Sequence, residues 1–285
     1  MKNFDSIPSF SAAALLKRFG LRAEKRLGQN FLEDSSALEK IVRTAGIQEV
    51  DSVLEIGPGL GSLTRYLAVS AREVIAVELD EKLLTPLKAI IAPYQNVRLV
   101  HGDILKLSPY ELIHQPDYLV VANIPYYITS AVIRHLLGNE PKPRRLVLTI
   151  QKEVAERICA APGDLSLLAL SVQVYGKPEI TAHIPATAFY PAPKVDSAII
   201  RIDIYPSPLI PEPLLETFFK LIKAGFSQKR KTLRNSLSAG LHISPTEAES
   251  LLTIADIDPK RRAETLSIED WKILSERASA SHLSQ

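Results

Sequence analysis

The residues best suited to chemistry in this 285-residue chain lie in Ala122-Asn123-Ile124-Pro125-Tyr126, which closes an apolar run, Tyr118-Leu119-Val120-Val121. An exocyclic adenine or cytosine amine is a poor nucleophile, because its lone pair is delocalised into the ring. Two acceptors that take both amine hydrogens favour a pyramidal nitrogen and fix its aim at a methyl donor. The Asn123 side-chain oxygen and a backbone carbonyl near Ile124 or Pro125 are acceptors of that kind. Pro125 pre-sets the turn that presents the carbonyl, and Tyr126 supplies a ring for a base to stack on. A second aromatic, Phe189, sits in Ala188-Phe189-Tyr190-Pro191-Ala192-Pro193-Lys194-Val195-Asp196-Ser197. That loop can bring it to the other face of the base, opposite Tyr126, although a plain core phenylalanine reads the same way.

Such chemistry needs a bound donor, and the stretch from Asp51 to Thr64 offers a place for one. Val53, Leu54 and Ile56 read as a buried parallel strand, and Gly57, Gly59 and Gly61 follow where backbone must turn sharply and approach a ligand closely. Dinucleotide enzymes place Gly-x-Gly-x-x-Gly here, but the third glycine comes one residue early, and no lysine follows to cradle a phosphate. With Glu55 ahead of it, the turn looks like the nucleoside-binding turn of S-adenosylmethionine-dependent methyltransferases. Glu78 ends the next apolar strand about twenty residues beyond the first glycine, the spacing of a carboxylate that accepts from ribose hydroxyls. By itself it does not separate NAD from S-adenosylmethionine. Asp103, after the strand Val97 to Val100, is placed to accept from a cofactor adenine amine, though Gly-Asp is also a common turn.

Strands and helices alternate over the first two hundred residues. The strands are expected at Val53–Ile56, Glu73–Val77, Val97–Val100, Tyr118–Val121, Leu146–Ile150 and Ala198–Ile202, with a capped helix after Glu33-Asp34-Ser35-Ser36. This predicts a doubly wound α/β domain with its site at the C-terminal ends of the strands. Four prolines between Tyr205 and Glu216 mark a boundary, and the remainder is helical. The expected division is an N-terminal extension over 1–21, a catalytic domain over 22–205 and a helical RNA-binding domain over 206–285.

A net charge of +2 places nucleic-acid contact in local clusters, of which Gln228-Lys229-Arg230-Lys231-Thr232-Leu233-Arg234, with Arg261-Arg262, is the densest. A single cysteine, Cys159, excludes an internal disulfide and fits a reducing cytoplasm. Six scattered histidines give no metal-ligand spacing, so no metal is expected. No apolar run is long enough to cross a membrane. Residues 1–20 carry Ser, Ala, Lys and Arg with one acid, a composition that leaves an organellar transit segment open.

Together Lys25-Arg26-Leu27-Gly28-Gln29-Asn30-Phe31-Leu32, Glu55-Ile56-Gly57-Pro58-Gly59-Leu60-Gly61, Gly102-Asp103-Ile104, Asn123-Ile124-Pro125-Tyr126 and the Phe189 loop resemble the small-subunit ribosomal RNA adenine N6-dimethyltransferases of the KsgA type. The resemblance runs from Arg22 to about Trp271. It implies a Rossmann-like class I methyltransferase domain with a small C-terminal all-α domain. It further implies S-adenosyl-L-methionine as cofactor and dimethylation of two adjacent adenosines in a hairpin loop near the 3′ end of small-subunit ribosomal RNA, by a cytoplasmic monomer. By the same resemblance Asn30, Leu32, Gly57, Gly59, Glu78, Leu79, Asp103, Ile104 and Asn123 contact the cofactor, and Asn123, Pro125, Tyr126 and Phe189 hold the adenine. Where the family's commonest form flanks Pro-Tyr with Leu and Asn, this chain has Ile124 and Tyr127. The alternatives are a resistance methyltransferase acting on large-subunit RNA and a non-catalytic RNA- or DNA-binding factor on the same fold. A cytosine C5 enzyme would need a nucleophilic cysteine near the fourth or fifth strand, and Cys159 lies past that point.

Overall fold

The computed structural model describes residue 4, residues 6–125 and residues 128–280. Nine strands are described in chain order: β1 (Phe31–Leu32), β2 (Ser52–Ile56), β3 (Glu73–Glu78), β4 (Val97–His101), β5 (Leu119–Asn123), β6 (Arg145–Gln151), β7 (Gly176–Ile184), β8 (Phe189–Tyr190) and β9 (Ser197–Ile204). The helices are α1 (Ala12–Arg18), α2 (Ser35–Ala45), α3 (Ser62–Ala68), α4 (Glu81–Ile91), α5 (Pro109–Leu112), α6 (Thr129–Gly138), α7 (Lys152–Ile158), α8 (Leu167–Gln173), α9 (Leu215–Gly225), α10 (Leu233–Leu241), α11 (Pro245–Ile254) and α12 (Ile268–Ala280).

The chain divides into two compact units, the first comprising the described residues up to Ala155 together with Pro178–Ile204, the second Glu156–Lys177 and the chain from Tyr205 onward. The expected boundary near 205 therefore coincides with one passage between units, while the excursion Glu156–Lys177 carries no mark in the sequence. Its apolar run Leu167 to Tyr175 forms α8 and leads into β7, a strand that no sequence signal announces.

In the first unit seven strands form one sheet in the order β4-β3-β2-β5-β6-β9-β7. Strands β2 to β6 are parallel where they pair, and β9 runs antiparallel to β6, from Arg145↔Asp203 to Gln151↔Ser197. Alternation ends after α8: the chain runs through β7, β8 and β9 with no α-helix between them, and β9 joins the sheet antiparallel. Residues of β2 and β5 are buried on both faces, which is why Leu119 to Ala122 reads as an unbroken apolar run and β2 is apolar apart from Ser52 and Glu55. The order reverses between β2 and its two neighbours, β3 and β5. A crevice opens there, at the carboxyl ends of the strands.

Helix α2 shows how local sequence fixes one layer. Asp34 caps it by accepting from the Ala37 N–H at 2.8 Å, Gly46 ends it at φ 63°, and Leu38, Ile41, Val42 and Ala45 form its buried stripe. A second sheet has only two strands, β1 and β8, antiparallel with Phe31 opposite Tyr190 and Leu32 opposite Phe189. It joins segments far apart in the chain.

The second unit is helical. Phe218, Leu233, Leu237, Trp271 and Leu274 are among its buried side chains, contributed by α9, α10 and α12. Gly240 lets α10 approach α9 closely, since a Cβ there would stand 2.6 Å from the Ala224 Cα.

Candidate active site

Three glycines shape the turn at the crevice, and two of them, Gly57 and Gly59, line it. Gly57, Gly59 and Gly61 have φ of 68°, 59° and 84°, left-handed values that other residues adopt only at a cost. The turn is pinned by Gly57 N–H to the Val77 carbonyl and Gly61 N–H to the Pro58 carbonyl, both at 2.9 Å. A Cβ on Gly57 would meet nothing closer than Pro125 Cδ at 3.9 Å and the Asn123 carbonyl at 4.0 Å. On Gly59 it would stand 3.0 Å from the Phe31 ring. Gly57 thus faces open cleft, whereas Gly59 is held against β1.

The cleft is lined by Asn30, Leu32, Gly57, Gly59, Glu78, Leu79, Asp103, Ile104, Asn123, Pro125 and Phe189. The structure therefore brings together every described residue that the resemblance assigned to the cofactor or the adenine, while Gly61 does not line the cleft. Tyr126, and Tyr127 beside it, lie outside the described residues.

Glu78 ends β3 and is 6% exposed. Its Oε2 accepts from the Gly59 N–H at 2.9 Å and its Oε1 from the Asp80 N–H at 2.8 Å. Burial raises its pKa, against these backbone donors, which favour the charged form. Each oxygen keeps acceptor capacity beyond its one backbone bond. Leu79, next in the chain, is 49% exposed on the rim. Asp103 Oδ1 accepts from the Leu105 N–H at 3.0 Å, and the Gly102 N–H ties this turn to the Glu78 carbonyl at 2.9 Å.

Asn123 ends β5. Its Nδ2 donates to the Asn30 carbonyl at 3.1 Å, which turns the amide so that its oxygen is the end left for a ligand. Ile124 is buried, and its N–H donates to the Thr149 carbonyl at 3.2 Å. The Pro125 carbonyl accepts from the Ile128 N–H at 3.1 Å. Phe189 is 4% exposed and is at once part of the hydrophobic core and of the cleft wall. The ring is thus a core phenylalanine that also lines the cleft.

Residues 25–32 carry part of the family resemblance. The structure makes Phe31 and Leu32 a strand paired to β8, and adds a polar network around Gln29. Gln29 Nε2 donates to Asp80 Oδ2 at 2.7 Å, Gln29 Oε1 accepts from the Glu24 N–H at 2.8 Å, and Lys82 Nζ pairs with Glu24 at 3.0 Å. Asp80 and Lys82 are distant in the chain, so no local pattern could reveal them.

Glu55, noted from sequence only as the acid ahead of the turn, is a further cleft-lining residue. It is 1% exposed, and its Oε2 makes no hydrogen bond. Burial, with the nearby Glu78 carboxylate adding to it, pushes Glu55 up to about 8. An acid in the middle of an otherwise apolar strand was the available signal.

The site therefore joins a glycine turn, buried acids without cationic partners, and an amide oxygen at a strand end. That set fits a cationic nucleoside cofactor: a bound cation would offset the burial that disfavours the charged acids, Glu78 can accept from hydroxyls, and Gly57 leaves room. Among the described residues no cluster of His, Cys, Asp and Glu could hold a metal ion.

Residues 20–279 match the family model for ribosomal RNA adenine dimethylase. The chain is similar to the Ribosomal RNA small subunit methyltransferase A of Dehalococcoides mccartyi (strain CBDB1), 50% identical over 273 residues that cover 94% of each chain. The protein of that name from Bacillus cytotoxicus is 41% identical over 271 residues, 92% of this chain and 93% of the relative. Among solved structures, a dimethyladenosine transferase from Plasmodium falciparum has a TM-score of 0.74 at 27% identity, covering 88% of this chain and 98% of that one. The 23S rRNA methyltransferase ErmE has a TM-score of 0.68 at 30% identity, covering 88% of this chain and all of the other.

Proposed function

Because the chain belongs to the ribosomal RNA adenine dimethylase family, we propose that it dimethylates N6 of two adjacent adenosines in a hairpin loop near the 3′ end of small-subunit ribosomal RNA. Membership makes it an S-adenosylmethionine-dependent enzyme that dimethylates adenine in ribosomal RNA. The small-subunit target is supported by relatives at 41% and 50% identity that carry the small-subunit name, whereas ErmE is 30% identical.

When bound, S-adenosylmethionine supplies an electrophilic methyl group. In this reading Glu78 accepts from the ribose hydroxyls and Asp103 from the cofactor's adenine amine. Gly57 and Gly59 let backbone close on the nucleoside, while Leu79, Ile104, Asn30 and Leu32 wall it. Asn123 Oδ1 accepts one hydrogen of the target amine. The Ile124 carbonyl is the better second acceptor, because Pro125 already takes the Ile128 N–H. Phe189 and Tyr126 flank the base. No general base is needed: neutral acceptors orient the amine, and the product proton passes to water.

The observation that carries this reading is the Asn123 amide in the cleft lining, whose nitrogen is engaged by the Asn30 carbonyl and whose oxygen is the remaining acceptor. The test incubates small-subunit RNA, large-subunit RNA and the protein with S-adenosylmethionine, then digests each RNA and separates its nucleosides. Dimethyladenosine in the small-subunit RNA alone is expected. A product confined to large-subunit RNA, or one that stops at monomethyladenosine, overturns the proposal.

The helical unit is assigned to RNA phosphates through Lys229, Arg230 and Lys231, exposed in the turn between α9 and α10. Neighbouring cations are engaged within the unit: Arg234 with Glu249 at 3.0 Å, Arg261 with Asp270 at 3.3 Å and Arg262 with Glu264 at 3.9 Å. Alanine at the three turn positions is expected to flatten the salt dependence of RNA binding by about 0.7 to 0.9 log unit for each phosphate that is no longer neutralised. An unchanged slope would make the turn an ordinary solvated surface. The protein is proposed to act as a monomer in the cytoplasm without a metal. Among the described residues no helix is long and apolar enough to cross a membrane.

A further inference from the structure

The family match begins at residue 20, and α1 lies ahead of it. In the structure this leading segment is built into the wall of the first unit at three points. Phe4 is buried in the main core, with its ring centroid 5.3 Å from that of Tyr66. Arg65, 5% exposed on α3, donates from Nη1 to the Pro8 carbonyl at 2.7 Å and lies 4.9 Å over the Phe10 ring. Ala12 and Leu16 of α1, both buried, pack in one cluster with Phe31, Leu60 and Leu83.

That last cluster joins α1 to the cofactor cleft. Phe31 and Leu83 line the cleft, and Leu60 stands between Gly59 and Gly61 in the glycine turn. The Phe31 ring fills the space a Gly59 Cβ would need. The Ala12 N–H also donates to Glu33 Oε1, and the Glu33 N–H to the Ala188 carbonyl at 2.9 Å, so α1 is tied to the β1–β8 pair that carries Phe189. A glycine-rich turn loses much conformational entropy when it is ordered. An apolar clamp on Leu60 and Phe31 supplies that order before the ligand arrives, which strengthens binding by pre-organisation.

We propose that Phe4 and the segment from Ser6 to Leu21 form a brace for the cofactor site, with Leu16 and Arg65 as positioning residues that hold the glycine turn and β1 in their binding geometry. The inference rests on the reading of the cleft as the cofactor site. Neither residue touches the cleft, so their effect must pass through Phe31, Leu60 and α3.

The test measures S-adenosylhomocysteine affinity by calorimetry and thermal stability on full-length Leu16→Ala, Leu16→Met, Arg65→Met, Glu78→Ala and Asp51→Asn. Leu16→Ala and Arg65→Met are expected to weaken binding by on the order of fivefold or more. Leu16→Met, which refills the volume, should stay near the parent. Asp51→Asn, at the far end of the strands, should lose stability without losing affinity. With turnover on ribosomal RNA, the KM for S-adenosylmethionine should rise in Leu16→Ala while kcat at saturation and the KM for RNA hold. If Leu16→Ala and Arg65→Met bind as tightly as the parent while Glu78→Ala does not, the brace is overturned and the cleft stands. If Glu78→Ala also binds as the parent does, the cleft reading fails first and the brace with it.

Discussion

Strand β2 carries an acid near each end, and the protein treats the two differently. Asp51, just before the strand, is closed by Arg144, whose Nη1 and Nη2 reach its two oxygens at 3.0 and 2.7 Å. Asp51 in turn holds the Arg144 guanidinium above its ordinary range. Glu55, four residues on, is also buried, with an oxygen that makes no hydrogen bond, and Glu78 on the adjacent strand is met by backbone N–H groups. One end of the sheet is electrostatically complete. At the other, among the described residues, Glu55 and Glu78 have no cationic side chain paired with them, which suits a sulfonium-bearing ligand. Burial without a cation costs stability, so on the proposed reading the difference separates residues that hold the fold from residues kept for binding.

The sharpest way to break that separation is a pair of substitutions, one at each end. Asn123→Ala should lower methyl transfer by on the order of 10²-fold or more, as for a lost oxyanion-type partner, with thermal stability near the parent. Cofactor affinity should change less, through the Asn30 carbonyl that loses its donor. Asp51→Asn should do the reverse. It breaks a pair whose arginine is a third exposed, so the loss is about 1 to 3 kcal/mol of stability, while single-turnover rate and affinity hold. Urea denaturation and rapid-quench methylation on both proteins decide it. Equal losses of rate in the two would show that the ends of the sheet are not independent.

Next in size is Glu78→Ala, expected to weaken S-adenosylmethionine binding by about 1 to 3 kcal/mol in calorimetry. Part of that loss belongs to the Gly59 and Asp80 N–H groups it strands. Glu78→Gln keeps an acceptor for one of them and should recover part of the affinity. A Glu78→Ala protein that binds like the parent would move the ribose elsewhere in the cleft.

The cleft end is the more legible of the two in the sequence, for a physical reason. Glycines forced by positive φ, an acid closing a strand, and Asn-Ile-Pro-Tyr are local patterns with local causes, and they mark the parallel strands and the crevice. Asp51 and Arg144 are 93 residues apart, and nothing in either neighbourhood announces the other. The same holds for the β1–β8 pair, for β7, and for the passage of Glu156–Lys177 into the helical unit. The brace is illegible because α1 is a short apolar helix whose partners, Phe31, Leu60 and Leu83, are supplied by three other segments. The basic turn at Lys229–Lys231 is visible as composition, but only internal pairing of Arg234, Arg261 and Arg262 separates it from its neighbours.

The last test addresses the charge shortage itself. Glu55 titrates at about 8 in the folded protein and at 4.5 when solvated. Over that interval the folded state holds a proton that the unfolded chain has released, so the stability due to this group is complete below pH 4.5 and declines as pH rises toward 8. The decline is up to about 1.4 kcal/mol per pH unit. Glu78, also raised by burial, slopes the same way. Glutamine has nearly the same shape and no proton to lose. Glu55→Gln should therefore gain on the parent steadily between about pH 5 and 8, and its remaining slope should be shallower, reporting Glu78 and the other titrating groups. Urea midpoints measured at each unit of pH give the comparison. Parallel profiles for the two proteins would mean that Glu55 ionises in the ordinary range, and that the cleft end already contains the positive charge it is argued to lack.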